Sequence, residues 1–165
     1  MYLASHMVGI CAQTAPAPSV DSLYDQGRHE MTANWHAFGK MHDAAVFIHK
    51  DVKKTNNGRI TVWRHSEYPF PKYLEKEMPY LSAREHAIVD CKSSTIAVSE
   101  FAYYMGRFGT GAVIATNKVK SVEMAEAMPD SLEERLIKTL CESKPRSKPV
   151  RKAKPAEAVS DDKSS

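Results

Sequence analysis

The chain has no run of about 18 apolar residues and therefore no candidate membrane-spanning helix. It also lacks a marked charge imbalance: the formal net charge of +3 is too small to argue for a nucleic-acid surface. Even that excess is local, because Lys144, Arg146, Lys148, Arg151, Lys152 and Lys154 fall together near the C-terminus. There is no Gly-x-Ser-x-Gly nucleophile elbow. His36 and His42, in "WHAFGKMH", stand without the neighbouring cysteines or acids of a metal site, so they read as turn or strand-surface residues. Ser82, His86 and Asp90 share one strand neighbourhood, but nothing in the sequence orients a nucleophile or supplies an oxyanion hole. "GRFGTG" has the glycine order of neither phosphate-loop motif and leads into a strand, which makes it a hairpin turn. No cofactor and no metal are expected.

What remains after these exclusions is a single-domain length of 165 residues with a periodic middle and biased ends. Residues 1–33 read as a signal-like leader and linker: an apolar stretch from Met7 to Ala12 is followed by small residues and prolines, although the basic start of a secretory signal is missing. Cys11 is a candidate lipidation site, with Ile10 standing where such a signal carries a small residue. An unstructured cytosolic leader is the alternative. Residues 142–165 read as a disordered basic tail that keeps the chain end solvated or touches anionic envelope components.

Between these ends, residues 34–141 form the expected domain. "NWHAFGK" and "AAVFIHK" read as two strands around a turn at "MHD", and "RITVWRHSEY" as a third after the Asn57-Gly58 turn. "PFPKYLEKEMP" holds Pro69, Pro71 and Pro79 and is expected to be a surface loop. In residues 81–91, Leu81, Ala83, Ala87, Val89 and Cys91 share one face, opposite Arg84, His86 and Asp90. "TIAVSEFAYYM" returns with Ile96 and Val98 in phase and Phe101 and Tyr103 out of it, which predicts a bulge near Ser99-Glu100. "AVIATNKV" is the last strand. A helix follows, with Ser131 and Glu134 as a capping box and Leu132, Leu136, Ile137 and Leu140 as its apolar stripe. The expected fold is therefore α+β: an antiparallel sheet of about six strands with a C-terminal helix on one face. Cys91 and Cys141 both point toward the helix-sheet contact, so a disulfide between them is the economical reading, against two unpaired buried thiols.

The blocks "VWRHSEY", "YLSAREHAIVDC", "FAYYMGRFGTGAVI" and "PDSLEERLIKTLC" together resemble the surface-adhesin protein E family of Gram-negative bacteria, over about residues 34–141. The helix begins "PDS" where the family has Pro-Gly-Ser. The resemblance implies the same six-stranded sheet with its helix tied by a Cys–Cys bridge. It also implies an exported, non-catalytic, adhesin-like protein at the cell surface, in the periplasm or secreted. Its partner would be an extracellular-matrix type protein or an envelope component, and a homodimer is implied too. A structural role in the envelope is the alternative, and a small hydrolase the weakest one. Tyr68, Phe70, Lys72, Tyr73, Lys76 and Tyr80 mix aromatics with cations in the proline-rich segment and form the candidate binding surface; the competing reading is that these rings cap the sheet.

Overall fold

The computed structural model describes residues 16–142, so Cys11 and the basic stretch from Lys144 onward lie outside the described residues. The alternating segments become strands in chain order: β1 (Trp35–Lys40), β2 (Ala45–His49), β3 (Lys53–Lys54), β4 (Ile60–Leu74), β5 (Met78–Asp90), β6 (Thr95–Tyr104), β7 (Val113–Lys118) and β8 (Ala125–Glu126). The six long ones form one antiparallel sheet in the order β1-β2-β4-β5-β6-β7, with β3 added to β4 and β8 to β6. The predicted bulge is present: His86 pairs with Glu100 and Ala87 with Val98, leaving Ser99 as the extra residue. That residue brings Phe101 and Tyr103 onto the face of Ile96 and Val98, which the bare alternation would have split.

The expected loop at residues 69–79 is instead a hairpin arm. β4 continues through Pro69 and Pro71 to Leu74, and pairing resumes as Lys72 with Tyr80, Tyr73 with Pro79 and Leu74 with Met78. A register shift between Glu67 and Lys72 makes this possible. Inside a bulge no ladder hydrogen bond is demanded of a residue, so the missing N–H of each proline costs nothing there.

Two helices cover the sheet. The predicted one is α2 (Leu132–Glu142). Ser131 Oγ accepts the Glu134 N–H at 3.1 Å, and Glu134 Oε2 accepts the N–H of Asp130 at 2.9 Å, one residue earlier than a capping box would place it. Asp130 itself lies in the left-handed region at φ 61°, a conformation that glycine adopts without a Cβ penalty. Leu136, Ile137 and Leu140 pack on Ile48, Ile60, Val62, Ala87 and Val89. Beside this cluster the Cys91–Cys141 disulfide ties α2 to the turn after β5, with Cα atoms 5.6 Å apart.

The other helix, α1 (Val20–Glu30), stands where the sequence reading expects leader and linker. Ser19 caps it by accepting the Ser22 N–H at 3.0 Å. It packs on the opposite face, where Leu23 and Met31 bury Ala45 and Phe47. β2 is thus buried on both sides, and Ala45, Val46 and Phe47 are wholly inaccessible. Gly27 is the point of closest approach: a Cβ there would stand 2.2 Å from Phe47 Cζ.

Two outcomes follow from this packing. Gly27→Ala would gain about 1 kcal/mol from helix propensity, but the clash with the buried Phe47 ring outweighs it, giving a net loss of about 1–3 kcal/mol in a urea melt. Replacing both Cys91 and Cys141 with serine removes a crosslink spanning 50 residues. The chain-entropy argument puts that loss at about 4 kcal/mol, read as a lower denaturation midpoint than that of the oxidised parent.

Candidate functional site

The strands that α2 leaves uncovered on its own face carry a row of rings. Tyr68 from β4 meets Tyr80 from β5 edge-on at 5.6 Å, Tyr80 lies 4.6 Å from Tyr103 of β6, and Tyr103 lies 5.0 Å from Phe101. The register shift between Glu67 and Lys72 turns Tyr68 toward Tyr80, and β6 lies beside β5, so rings from three adjacent strands stand within contact distance. Burial pushes the hydroxyls of Tyr68, Tyr80 and Tyr103 above the usual tyrosine range. The row is therefore uncharged at any physiological pH and offers ring faces and neutral hydroxyls.

Lys72 extends the row toward solvent. Its ammonium sits over the Tyr68 ring at 5.6 Å and pairs with Asp43 at 2.6 Å, which holds the Asp43 carboxyl below the usual range. Between the arm and the start of α2 lies a cleft of about 310 Å³, lined by Arg64, Tyr68, Lys72, Tyr80, Glu85 and Glu133 among others. Arg64 is already occupied there: its Nε donates to Glu85 at 3.0 Å and its Nη1 to Glu133 at 2.6 Å. The cleft is consequently polar, with Asp43, Glu85 and Glu133 outnumbering Lys72 and Arg64 by one charge.

Of the six residues expected to form a surface, Tyr68, Lys72 and Tyr80 are brought together in this row. Phe70 and Tyr73 stand out on the arm, 67% and 63% exposed. Lys76 falls in the one-turn helix at the arm's tip, residues Glu75–Glu77, and its side chain lies outside the described residues. Phe101 and Tyr103 are not in that expected surface; the bulge at Ser99 puts them on the face of the arm's rings. Ser82, His86 and Asp90 are not assembled into a triad. Ser82 donates to Gly106 O, His86 bonds Ser99 Oγ, and Asp90 accepts from Arg59. Among the described residues no group of three or more His, Cys, Asp or Glu side chains could hold a metal ion.

The arm is held at its base by a buried polar cluster on the other face. Glu67, fully buried, accepts the Phe108 N–H at 2.5 Å and receives His65 Nε2 at 2.6 Å. Arg107 stands 3.8 Å from the same carboxylate and donates to the carbonyls of Tyr68 at 2.7 Å and Pro69 at 3.1 Å. Those two carbonyls lie in the β4 bulge, where no ladder partner reaches them. The "GRFGTG" turn thus folds back onto the sheet and satisfies the bulge that launches the arm. Desolvation lowers the pKa of His65 despite the opposing pull of Glu67, so His65 stays neutral, with its Nε2–H toward Glu67 and Nδ1 left without a partner.

Residues 35–142 match the model of the surface-adhesin protein E family, and the chain belongs to that family. The fold is that of Haemophilus influenzae protein E. One crystal form superposes with a TM-score of 0.52 at 15% identity, covering 66% of this chain and 87% of that one. A further structure of that protein gives 0.51 at 15% identity, covering 66% and 84%. The protein from non-typeable Haemophilus influenzae gives 0.51 at 14%, covering 66% and 76%. No curated protein matches the sequence.

The buried histidine sets a pH dependence. Its folded pKa lies below the unfolded value of 6.5, so the unfolded chain takes up the proton first and stability falls as pH drops below that value. The charged groups that act on it are Glu67, which favours the proton, and Arg84, which opposes it. His86, also lowered by desolvation, adds a smaller effect of the same sign from a more exposed position. Denaturation midpoints measured from about pH 7 to 5 should fall, and His65→Gln should flatten most of that slope. A parent whose midpoint is constant over this range would show that His65 takes up its proton as readily in the folded chain as in the unfolded one.

Proposed function

We propose that the chain is an exported, non-catalytic adhesin-like protein that contacts an extracellular-matrix type protein through its hairpin arm and the aromatic row behind it. Family membership supports the adhesin reading and the surface or envelope location. The observation that carries the choice of surface is the arm itself, which projects Phe70 and Tyr73 into solvent beside Lys72 and four ranked rings. Exposed aromatics over a half-buried aromatic floor match the composition of protein-interface hot spots, where a few rings supply most of the binding energy. The competing idea, that all these rings only cap the sheet, accounts for Tyr68, Tyr80 and Tyr103 but leaves the two most exposed rings unexplained.

The neutrality of the row also favours a protein partner over a polyanion. Lys72 is engaged by Asp43 and Arg64 by two glutamates, so the surface has no free run of cations for a phosphate or sulfate array. Affinity would come from desolvating ring faces, with Asp43, Lys72 and the tyrosine hydroxyls giving orientation.

Binding of the full chain to an immobilised basement-membrane extract tests this reading. Phe70→Ala with Tyr73→Ala should weaken binding about 30-fold or more, corresponding to about 2 kcal/mol, while the denaturation midpoint stays at the parent's value. Binding equal to the parent's would remove the arm from the contact. Proteolysis of intact cells checks the location, and protection of the chain until the envelope is opened would make an envelope component the partner instead.

A further inference from the structure

Both tryptophans of the chain lie on the face opposite the aromatic row, and the arm does not involve them. Trp35, His49, Trp63, Arg84, Ala102 and Tyr104 line an open groove of about 340 Å³. A second groove of about 330 Å³ continues past Trp35 and Arg84 along the end of α1, so Arg84 stands in the middle of one trough. The guanidinium carbon is 5.4 Å from the Trp35 ring and 5.3 Å from the Tyr104 ring. Trp63 is backed by His86 at 4.9 Å. Ala102, cross-strand from Arg84, is the small residue that leaves the floor open between the rings.

The charge on this face is incomplete. Lys53 pairs with Asp51 at 3.2 Å and Lys118 with Glu100 at 2.9 Å. Arg84 has no carboxylate within ion-pair distance among the described residues. Its Nε is buried without a partner, and its one hydrogen bond, from Nη2 to Phe108 O, is 3.5 Å long. Stacking between two rings offsets part of the cost of desolvating that cation. A half-buried guanidinium with spare donors still calls for an anion, and a planar carboxylate is the shape its fork fits.

The position in the sheet narrows the ligand further. The floor of the trough between Trp35 and Tyr104 runs over β2, β4 and β5, each paired on both sides, so a peptide cannot add as a strand on that floor and recognition there must pass through side chains. Flat aromatic floors bind the apolar faces of rings. His49 supplies a hydrogen-bond donor within the trough, and His86 backs Trp63 from outside its lining. His49 Nδ1 accepts the Asp51 N–H at 3.1 Å, which leaves its Nε2 as the donor. Ser99 Oγ donates to His86 O at 3.2 Å, so it accepts from His86 Nδ1–H at 2.9 Å and leaves His86 Nε2 as an acceptor. Ring faces, one carboxylate partner and a neutral donor for a hydroxyl describe a sugar acid.

We propose that the Trp35–Trp63–Tyr104 trough, with Arg84 at its centre, is a binding site for a carboxylated pyranose at the end of an acidic glycan. The carboxylate engages the Arg84 guanidinium, the ring stacks on an indole, and His49 meets a hydroxyl. The site is separate from the arm, so the Phe70→Ala, Tyr73→Ala variant keeps it, and either site can fail without the other.

Titrating the full chain with the methyl glycosides of N-acetylneuraminic acid, glucuronic acid and glucose tests the proposal, read by tryptophan fluorescence because both indoles line the trough. At least one acidic sugar should quench saturably and bind at least about tenfold more tightly than methyl glucoside. Which of the two binds better identifies the source as a sialylated or a uronate-bearing glycan. By calorimetry, Arg84→Gln should abolish the preference for the acid. Because Arg84 also packs against Gly109, Trp63→Ala serves as the second variant; it should bind at least about tenfold more weakly with an unchanged denaturation midpoint. Equal binding of methyl glucoside, competition by acetate as strong as by the sugar acid, tighter binding of a peptide through its free C-terminal carboxylate, or unaltered binding by Trp63→Ala would each overturn it.

Discussion

Glu67 lies fully buried at the point where β4 leaves the regular ladder, and it accepts the N–H of Phe108 from a turn 41 residues further along the chain. A buried carboxylate is tolerable only where donors replace its water, and the turn supplies one N–H directly while the neutral His65 supplies another. Phe108 takes up a left-handed conformation at φ 53° to present that N–H, a strain of the kind that surrounding contacts must hold in place. Once the turn is pulled in, Arg107 reaches the two bulge carbonyls at the root of the arm. Gly109 then sits where any Cβ would lie 2.4 Å from Arg84, which presses that guanidinium into place between Trp35 and Tyr104. The arm on one side and the trough on the other thus share one anchor.

The two helices decide what is left exposed. α1 contacts β1, β2 and β4, and the apolar stripe of α2 rests on β2, β4 and the end of β5. An 11-residue helix is only about 16 Å long, whereas six strands at about 4.8 Å spacing make a sheet of roughly 25 Å. Each face therefore keeps an uncovered flank over β5, β6 and β7. On the α2 face that flank holds the tyrosine row, and on the α1 face it holds Arg84, Ala102 and Tyr104. The disulfide and the Gly27–Phe47 contact matter to function in this indirect way, because they hold the helices against one side of the sheet.

Much of this scaffold was legible as periodicity. Alternation found the strands, the phase break at Ser99 found the bulge, and the inward parity of Cys91 met the helical stripe ending at Cys141. The errors came from assuming that a sheet strand has one wet face. "AAVFI" has no polar alternation because β2 is covered on both sides, and that unbroken run was the signal for a second helix. His65 and Glu67, polar residues at alternate positions, are buried because a helix and a turn are laid over them. Prolines at 69 and 71 argued against a strand by a sound rule that fails at a bulge, where the ladder makes no demand on an N–H. Half of the candidate surface followed from composition alone; Phe101 and Tyr103 joined it only through register, which short-range sequence does not display.

The two flanks differ in chemistry for a reason that lies in their partners within the fold. On the α2 side, the two cations that line the cleft have acids supplied from neighbouring elements: Asp43 for Lys72, and Glu85 with Glu133 for Arg64. What remains to be satisfied there is ring surface, and ring surface is answered by another protein's apolar side chains. On the α1 side Glu67 is already committed to Phe108, His65 and Arg107. Arg84 is left with aromatic faces in place of a carboxylate. One buried glutamate therefore builds the turn that positions Arg84 and, by being spent there, leaves that guanidinium to be completed from outside.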